Sequence, residues 1–153
     1  MDMYIEACAH AAHETNAAYC AAIGDPPQPS WASAPDELKE SVRAGVKGVL
    51  LGNDERTSHE GWCKHLREHG WVYGQQKSRE RKTHPNLVPY SELPRTQQHK
   101  DGLFVGAVRT MAAALGLTVI YPAEPARGGR PAIERREINW STGETRVIPP
   151  TGD

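Results

Sequence analysis

Four glycines, Gly24, Gly52, Gly70 and Gly116, each follow a stretch whose apolar residues recur at three-and-four spacing, and this punctuation constrains the chain more than any other feature. Ile5, Cys8, Ala9, Ala12, Asn16, Tyr19, Cys20 and Ile23 predict a first helix over residues 2–23. Pro26, Pro27 and Pro29 cannot continue it, because each removes a donor and fixes its backbone angle, so an extended link runs to Trp31. A second helix then reads from its signals: Ser33 as cap, Pro35 near the first turn, Asp36 and Glu37 beside the positive end. Leu38, Val42, Val46, Val49 and Leu50 form its buried stripe, and Gly52 closes it. Thr57 with Glu60 reads as a capping box opening a third helix over about residues 58–69 with Trp62 and Leu66 inward. The fourth begins near Pro94 and carries Leu103, Phe104, Ala107, Val108, Met111 and Leu115.

The remaining segments predict little sheet. Trp71-Val72-Tyr73 alternates as a strand would, Lys77 to Thr83 is polar loop, and His84 before Pro85 is held extended. Leu117 to Tyr121 reads as a strand and Ala123 to Pro131 as a connection. Arg136 to Trp140 and Thr145 to Ile148 flank Ser141-Thr142-Gly143-Glu144 as a hairpin. The fold class is mainly α with a small β element (α+β): a helical body over residues 1–116 and a β extension over 117–153 packed on the same domain. A chain of 153 residues has the size of one domain with one core. Eighteen of its 58 hydrophobic residues are Ala and only one is Phe, so four Trp and five Tyr can be interpreted singly.

Eighteen basic against nineteen acidic side chains oppose the positive field that duplex nucleic acid requires, so no such partner is expected. The charge is unevenly placed: residues 1–60 carry ten acids and four bases, residues 61–153 nine acids and fourteen bases, which puts an anion's site in the second part. No apolar run approaches the roughly 20 residues of a membrane helix, and the start lacks a secretory layout. Cys8, Cys20 and Cys63 lack paired spacing and suit reduced thiols. These features predict a cytoplasmic protein without a membrane partner.

Motifs for chemistry are sparse. His10-x-x-His13 and His65-x-x-x-His69 invite a metal, but Glu14 follows the second His rather than the first, and no third ligand stands at a recognisable spacing. Cys63 has His65 two positions away on another side of its helix, and no nucleophile elbow or phosphate-loop glycine pattern occurs. No catalytic residue, metal or cofactor is therefore expected. Gly70-Trp71-Val72-Tyr73-Gly74 differs, since an extended backbone puts Trp71 and Tyr73 on one face and Lys77, Arg79, Arg81, Lys82 and His84 follow closely. Rings to stack a base and cations to hold phosphate are what a nucleotide needs. The competing reading makes both aromatics core and the basic run a solvated loop.

Gly70 to Gly74, then Lys82-Thr83-His84-Pro85-Asn86-Leu87-Val88-Pro89-Tyr90 and Leu93-Pro94, resemble the ryanodine receptor repeat (RyR) domain. Ser58-His59-Glu60-Gly61-Trp62, at its spacing from Trp71, resembles the same family, as do Lys100-Asp101 and Phe104. His13-Glu14-x-Asn16-x-x-Tyr19-Cys20 is similar to the opening helix of free-standing bacterial and viral members, and the likeness covers about residues 5–115. It implies a compact, mainly helical, non-catalytic module. In channel repeats such a module holds an adenine nucleotide between tryptophan and basic side chains, and microbial relatives look like sensors in nucleotide-signalled defence. The likeness implies ligand-binding roles for Trp62, Trp71, Tyr73, Lys82, His84, Asn86 and Tyr90, and the candidate set is completed by Asn16, Tyr19, Trp31 and His59. The fourth residue after Trp62 is commonly basic in relatives but is Leu66 here, with Lys64 and Arg67 on adjacent turns as substitutes.

The preferred expectation is sensing or sequestration of a cyclic or NAD-derived adenine nucleotide, by analogy with the family a viral sponge in the host cytoplasm acting against nucleotide-signalled defence. The alternative is a protein–protein interaction or structural module, with the two oppositely charged parts pairing in a homo-oligomer and no small-molecule ligand.

Overall fold

The computed structural model describes residues 2–120, 136–138 and 145–147. The chain divides into two units, Met1–Pro122 and Ala123–Asp153. In the first, α1 (Asp2–Ile23), α2 (Asp36–Leu50), α3 (Glu55–Glu68) and α4 (Arg95–Ala114) surround the core, with short strands β1 (Val72–Tyr73) and β2 (Thr83–His84) and a 3-10 turn, Tyr90–Glu92, between α3 and α4. The protein is mainly helical with a small two-stranded parallel pair, Val72 opposite Thr83 and Tyr73 opposite His84. In the second unit, β3 (Arg136–Ile138) and β4 (Thr145–Val147) pair antiparallel, with Glu137 opposite Arg146, as the hairpin pattern predicts. The rest of that hairpin and the connection over 123–131 lie outside the described residues.

The abundance of alanine has a packing consequence. Ala9 and Ala12 of α1 and Ala112 of α4 are fully shielded, so α1 lies against α4 with small side chains at the seam. Val46 and Val49 of α2 and Val105 and Val108 of α4 close the same core, with Ile5, Cys8 and Trp31. A second cluster joins Cys63 and Leu66 of α3 to Trp71 and Leu87.

All four helices end as the glycine punctuation predicts. At Gly70 (φ +84°) the glycine N–H donates to the Arg67 carbonyl and the next N–H, of Trp71, reaches back to Leu66 at 3.0 Å, a Schellman closure that a Cβ at Gly70 would strain. The same pair of bonds recurs around Gly24, Gly52 and Gly116. The apolar contact that accompanies such closures is here Trp71 against Leu66, within the second cluster.

Helix starts differ from the sequence reading. α3 opens at Asp54, not Thr57: Asp54 Oδ1 accepts the Thr57 N–H at 2.9 Å while the Asp54 N–H donates to Thr57 Oγ1 at 2.9 Å. Thr57 is thus the third helical residue of a box whose cap is the acid. Replacing Asp54 with Ala is expected to cost about 1 kcal/mol of stability in urea unfolding. Ser33 does not cap α2, because its hydroxyl bonds Ser30 Oγ at 2.8 Å in a separate turn, and the helix begins after Pro35 without a side-chain cap. Leu117 to Ile120 form no strand; Leu117 and Val119 pack on the main core and the Ile120 N–H donates to the Leu50 carbonyl at 3.0 Å.

Candidate functional site

The four helices leave between them a hollow of about 300 Å³. From α1 it receives Asn16, and from α2 Leu38, Val42 and Gly45. From α3 come Ser58, His59 and Trp62, and from α4 Gln97, Lys100, Asp101 and Phe104. Lys77, His84 and Asn86, from the segment carrying β1 and β2, complete the polar side.

Five of the sequence-predicted site residues meet there: Asn16, His59, Trp62, His84 and Asn86. Six lie elsewhere. Trp71 is buried in the second cluster, its Nε1–H donating to Glu37 Oε1 at 3.3 Å, whereas Tyr73 is 57% exposed, so the two do not share a face. Lys82 (φ +51°) donates through Nζ to the His69 carbonyl at 2.8 Å, closing the negative end of α3. Trp31 is a core residue, with Nε1–H on Glu6 Oε1 at 2.8 Å and the His13 ring 5.5 Å away. Tyr19 Oη lies 3.4 Å from His99 Nδ1, and the Tyr90 ring lies against the Arg56 guanidinium. Leu66 is core, and neither Lys64, ion-paired with Glu68, nor Arg67 lines the hollow.

The cations of the hollow are Lys77 and Lys100 instead. Lys100 is ion-paired to Asp25, and that carboxylate, held below its usual range by Lys100 and then Gln97, also accepts the Gln97 amide at 3.1 Å. Gln97 Oε1 in turn accepts the Asn86 amide at 2.8 Å. Lys77 makes no hydrogen bond or ion pair among the described residues, and burial, then repulsion from Lys100, lowers its ammonium pKa. Lys77 belonged to the basic run and Lys100-Asp101 to the family wording. What singles them out is which side chains turn inward, and no spacing rule supplies that.

Hydrogen bonds fix two imidazole tautomers. His84 Nδ1 accepts the Asn86 N–H at 3.1 Å, so its proton sits on Nε2. Burial, then Lys77 and Lys100, push its pKa down to about 4, so at neutral pH it is an uncharged ring, set edge-on to Trp62 at 4.9 Å. His59 Nε2 lies 2.7 Å from the Val88 carbonyl and must donate to it, which leaves Nδ1 bare, 3.6 Å from Asp101 Oδ2. Burial disfavours a second proton on His59 and raises the Asp101 carboxyl to about 7, so the Asp101 carboxyl is neutral below that pH.

Cys63 Sγ lies 3.3 Å from His59 Nε2, which suggests a thiol–imidazole–carboxyl line through Asp101. It does not work as a nucleophile–base pair: the Nε2 proton is committed to Val88, the thiol is 3% exposed with its pKa raised by burial, and Cys63 does not line the hollow. His13 Nε2 is likewise committed, to the Pro29 carbonyl at 2.7 Å, and among the described residues no group of three or more His, Cys, Asp or Glu converges as metal ligands would. Ser58 Oγ is buried beside the hollow with no hydrogen-bond partner among the described residues, a state that costs about 1–3 kcal/mol unless something in the hollow bonds it.

These features define a mainly helical α+β domain built around a hollow lined by an indole, two ammonium groups and neutral hydrogen-bonding side chains. Residues 55–120 match the family model described as RyR domain. No curated protein matches the sequence. No helix among the described residues is long and apolar enough to cross a membrane.

Proposed function

We propose that the protein binds, without transforming it, a small phosphate-bearing nucleotide of the adenine class that the RyR likeness implies, and that the hollow is its site. The observation that carries this reading is the convergence of Trp62 with Lys77 and Lys100 around one volume of about 300 Å³. An aromatic face supports a base, an ammonium with no hydrogen bond or ion pair among the described residues supports a phosphate, and Asn16, Asn86 and the His84 Nε2–H supply neutral contacts. The volume stands at the lower end of ligand pockets, which favours a mononucleotide, cyclic or open, over an extended dinucleotide. Retention without chemistry suits sequestration of a signalling nucleotide, the viral countermeasure suggested by the family, since binding lowers the free messenger by mass action.

The test is a thermal-shift panel of adenine nucleotides at millimolar concentration, followed by calorimetry on the best. A ligand that prefers the folded state raises the melting temperature. Trp62→Ala and Lys77→Ala are each expected to lose at least about 1 kcal/mol of affinity while unfolding cooperatively. If no nucleotide shifts the transition, the interaction-module reading gains. It has its own support in Val72 and Tyr73, neighbours in β1 that are each 57% exposed.

A further inference from the structure

Two side chains of the hollow, Ser58 and Asp101, make no hydrogen bond among the described residues. The Ser58 hydroxyl is buried and bonded to nothing described, although it lines the hollow. It directly precedes His59, whose ring approaches Asp101. The bare Nδ1 of His59 facing Asp101 Oδ2 repels a carboxylate and accommodates a carboxylic acid, yet at 3.6 Å the two are too far apart for that ring to hold the acid's proton. The O–H of Asp101 therefore remains available to a ligand.

We propose that Asp101 and Ser58 read the base of the bound nucleotide, Asp101 acting as a neutral acid with one donor and one acceptor that match the amino-and-ring-nitrogen edge of adenine and oppose the paired N–H donors of guanine. This rests on the nucleotide-binding reading given above. An ionised carboxyl offers acceptors alone and suits the guanine edge instead, so the same residue makes base choice depend on its proton. Facing Asp101 are Glu55, His59 and Cys63 from α3, Tyr90 from the 3-10 turn and Lys100 from its own helix. Burial outweighs Lys100 and keeps the acid protonated up to about pH 7. Ser58, able to donate and accept, bonds the same base and satisfies its orphaned oxygen.

The experiment is calorimetry with adenosine and guanosine 3′,5′-cyclic monophosphates, whose single phosphate charge does not change between about pH 6 and about pH 8.5. Wild-type protein is expected to prefer the adenine probe about tenfold at the lower pH and to lose most of that preference at the higher one. Asp101→Asn, whose carboxamide always carries a donor and an acceptor, should keep the preference at both pH values, and Ser58→Ala should weaken the adenine probe several-fold. Equal affinity for the two probes at the lower pH, or an unchanged pH response in Asp101→Asn, overturns the assignment while leaving nucleotide binding intact. Failure of both probes to bind at millimolar concentration overturns both readings.

Discussion

Trp31→Ala is expected to cost about 3–5 kcal/mol of stability, which is most of what a domain at the lower end of the usual range possesses. The indole is 6% exposed, and its removal leaves a cavity in the main core, to which Ile5, Ala9 and Val46 also belong. It also strands acceptors: Glu6 Oε1 loses the Nε1–H at 2.8 Å, although Arg43 still holds the other oxygen at 2.8 Å. Trp31→Phe keeps most of the apolar body and deletes only the donor, so its cost should be nearer about 1 kcal/mol. Urea unfolding of the three proteins checks the order, with the Ala variant's midpoint falling by about 1–3 M. A small loss of stability in the Ala variant together with a large loss of nucleotide affinity would return Trp31 to the ligand.

Asp101→Asn is expected to stabilise the protein in a pH-dependent way. The folded-state carboxyl titrates at about 7 against a usual value of 3.8, burial being the main cause, with Lys100 opposing and Glu55 adding. Because the folded value is raised, the group costs nothing below about pH 4; the penalty accrues as pH climbs from there and is complete above about pH 7. The full difference is about 2–4 kcal/mol, the lower figure allowing for the side chain's partial contact with solvent. The Asn variant should thus match wild type near about pH 4 and exceed it at about pH 8, since groups common to both proteins cancel. A stability difference that stays constant between those pH values would mean that Asp101 ionises in the ordinary range.

Much of the fold could be read from the chain because its punctuation is local. Each helix end is set by a glycine whose backbone angle only that residue adopts freely, and all four terminations follow from it. Helix starts were harder: Ser33 is a good cap by type, yet a competing turn with Ser30 takes its hydroxyl, and Asp54 outranks Thr57 because it lies one turn earlier. The site was legible only in part, for a similar reason. Trp62, His84 and Asn86 carry family wording and face the hollow, but Trp71 and Lys82 carry it too and serve the second cluster and the end of α3. Residue type states what a side chain can bond, whereas which bond it makes depends on partners distant in the chain. Lys77, Lys100 and Ser58 show the converse: the first stands in the basic run and the other two in family wording, nothing in the sequence marks them as ligands, and packing puts all three at the hollow.

The stretch between α1 and α2, rich in proline, is fastened along its length: Asp25 to Lys100 and Gln97, the Pro29 carbonyl to His13, the Trp31 N–H to Glu14. A crossing that composition would mark as slack is a strut. Peptide tags or new termini placed there would unfasten α1 from α4 and disturb Lys100 at the same time, so grafting and circular permutation belong at other joints of the molecule.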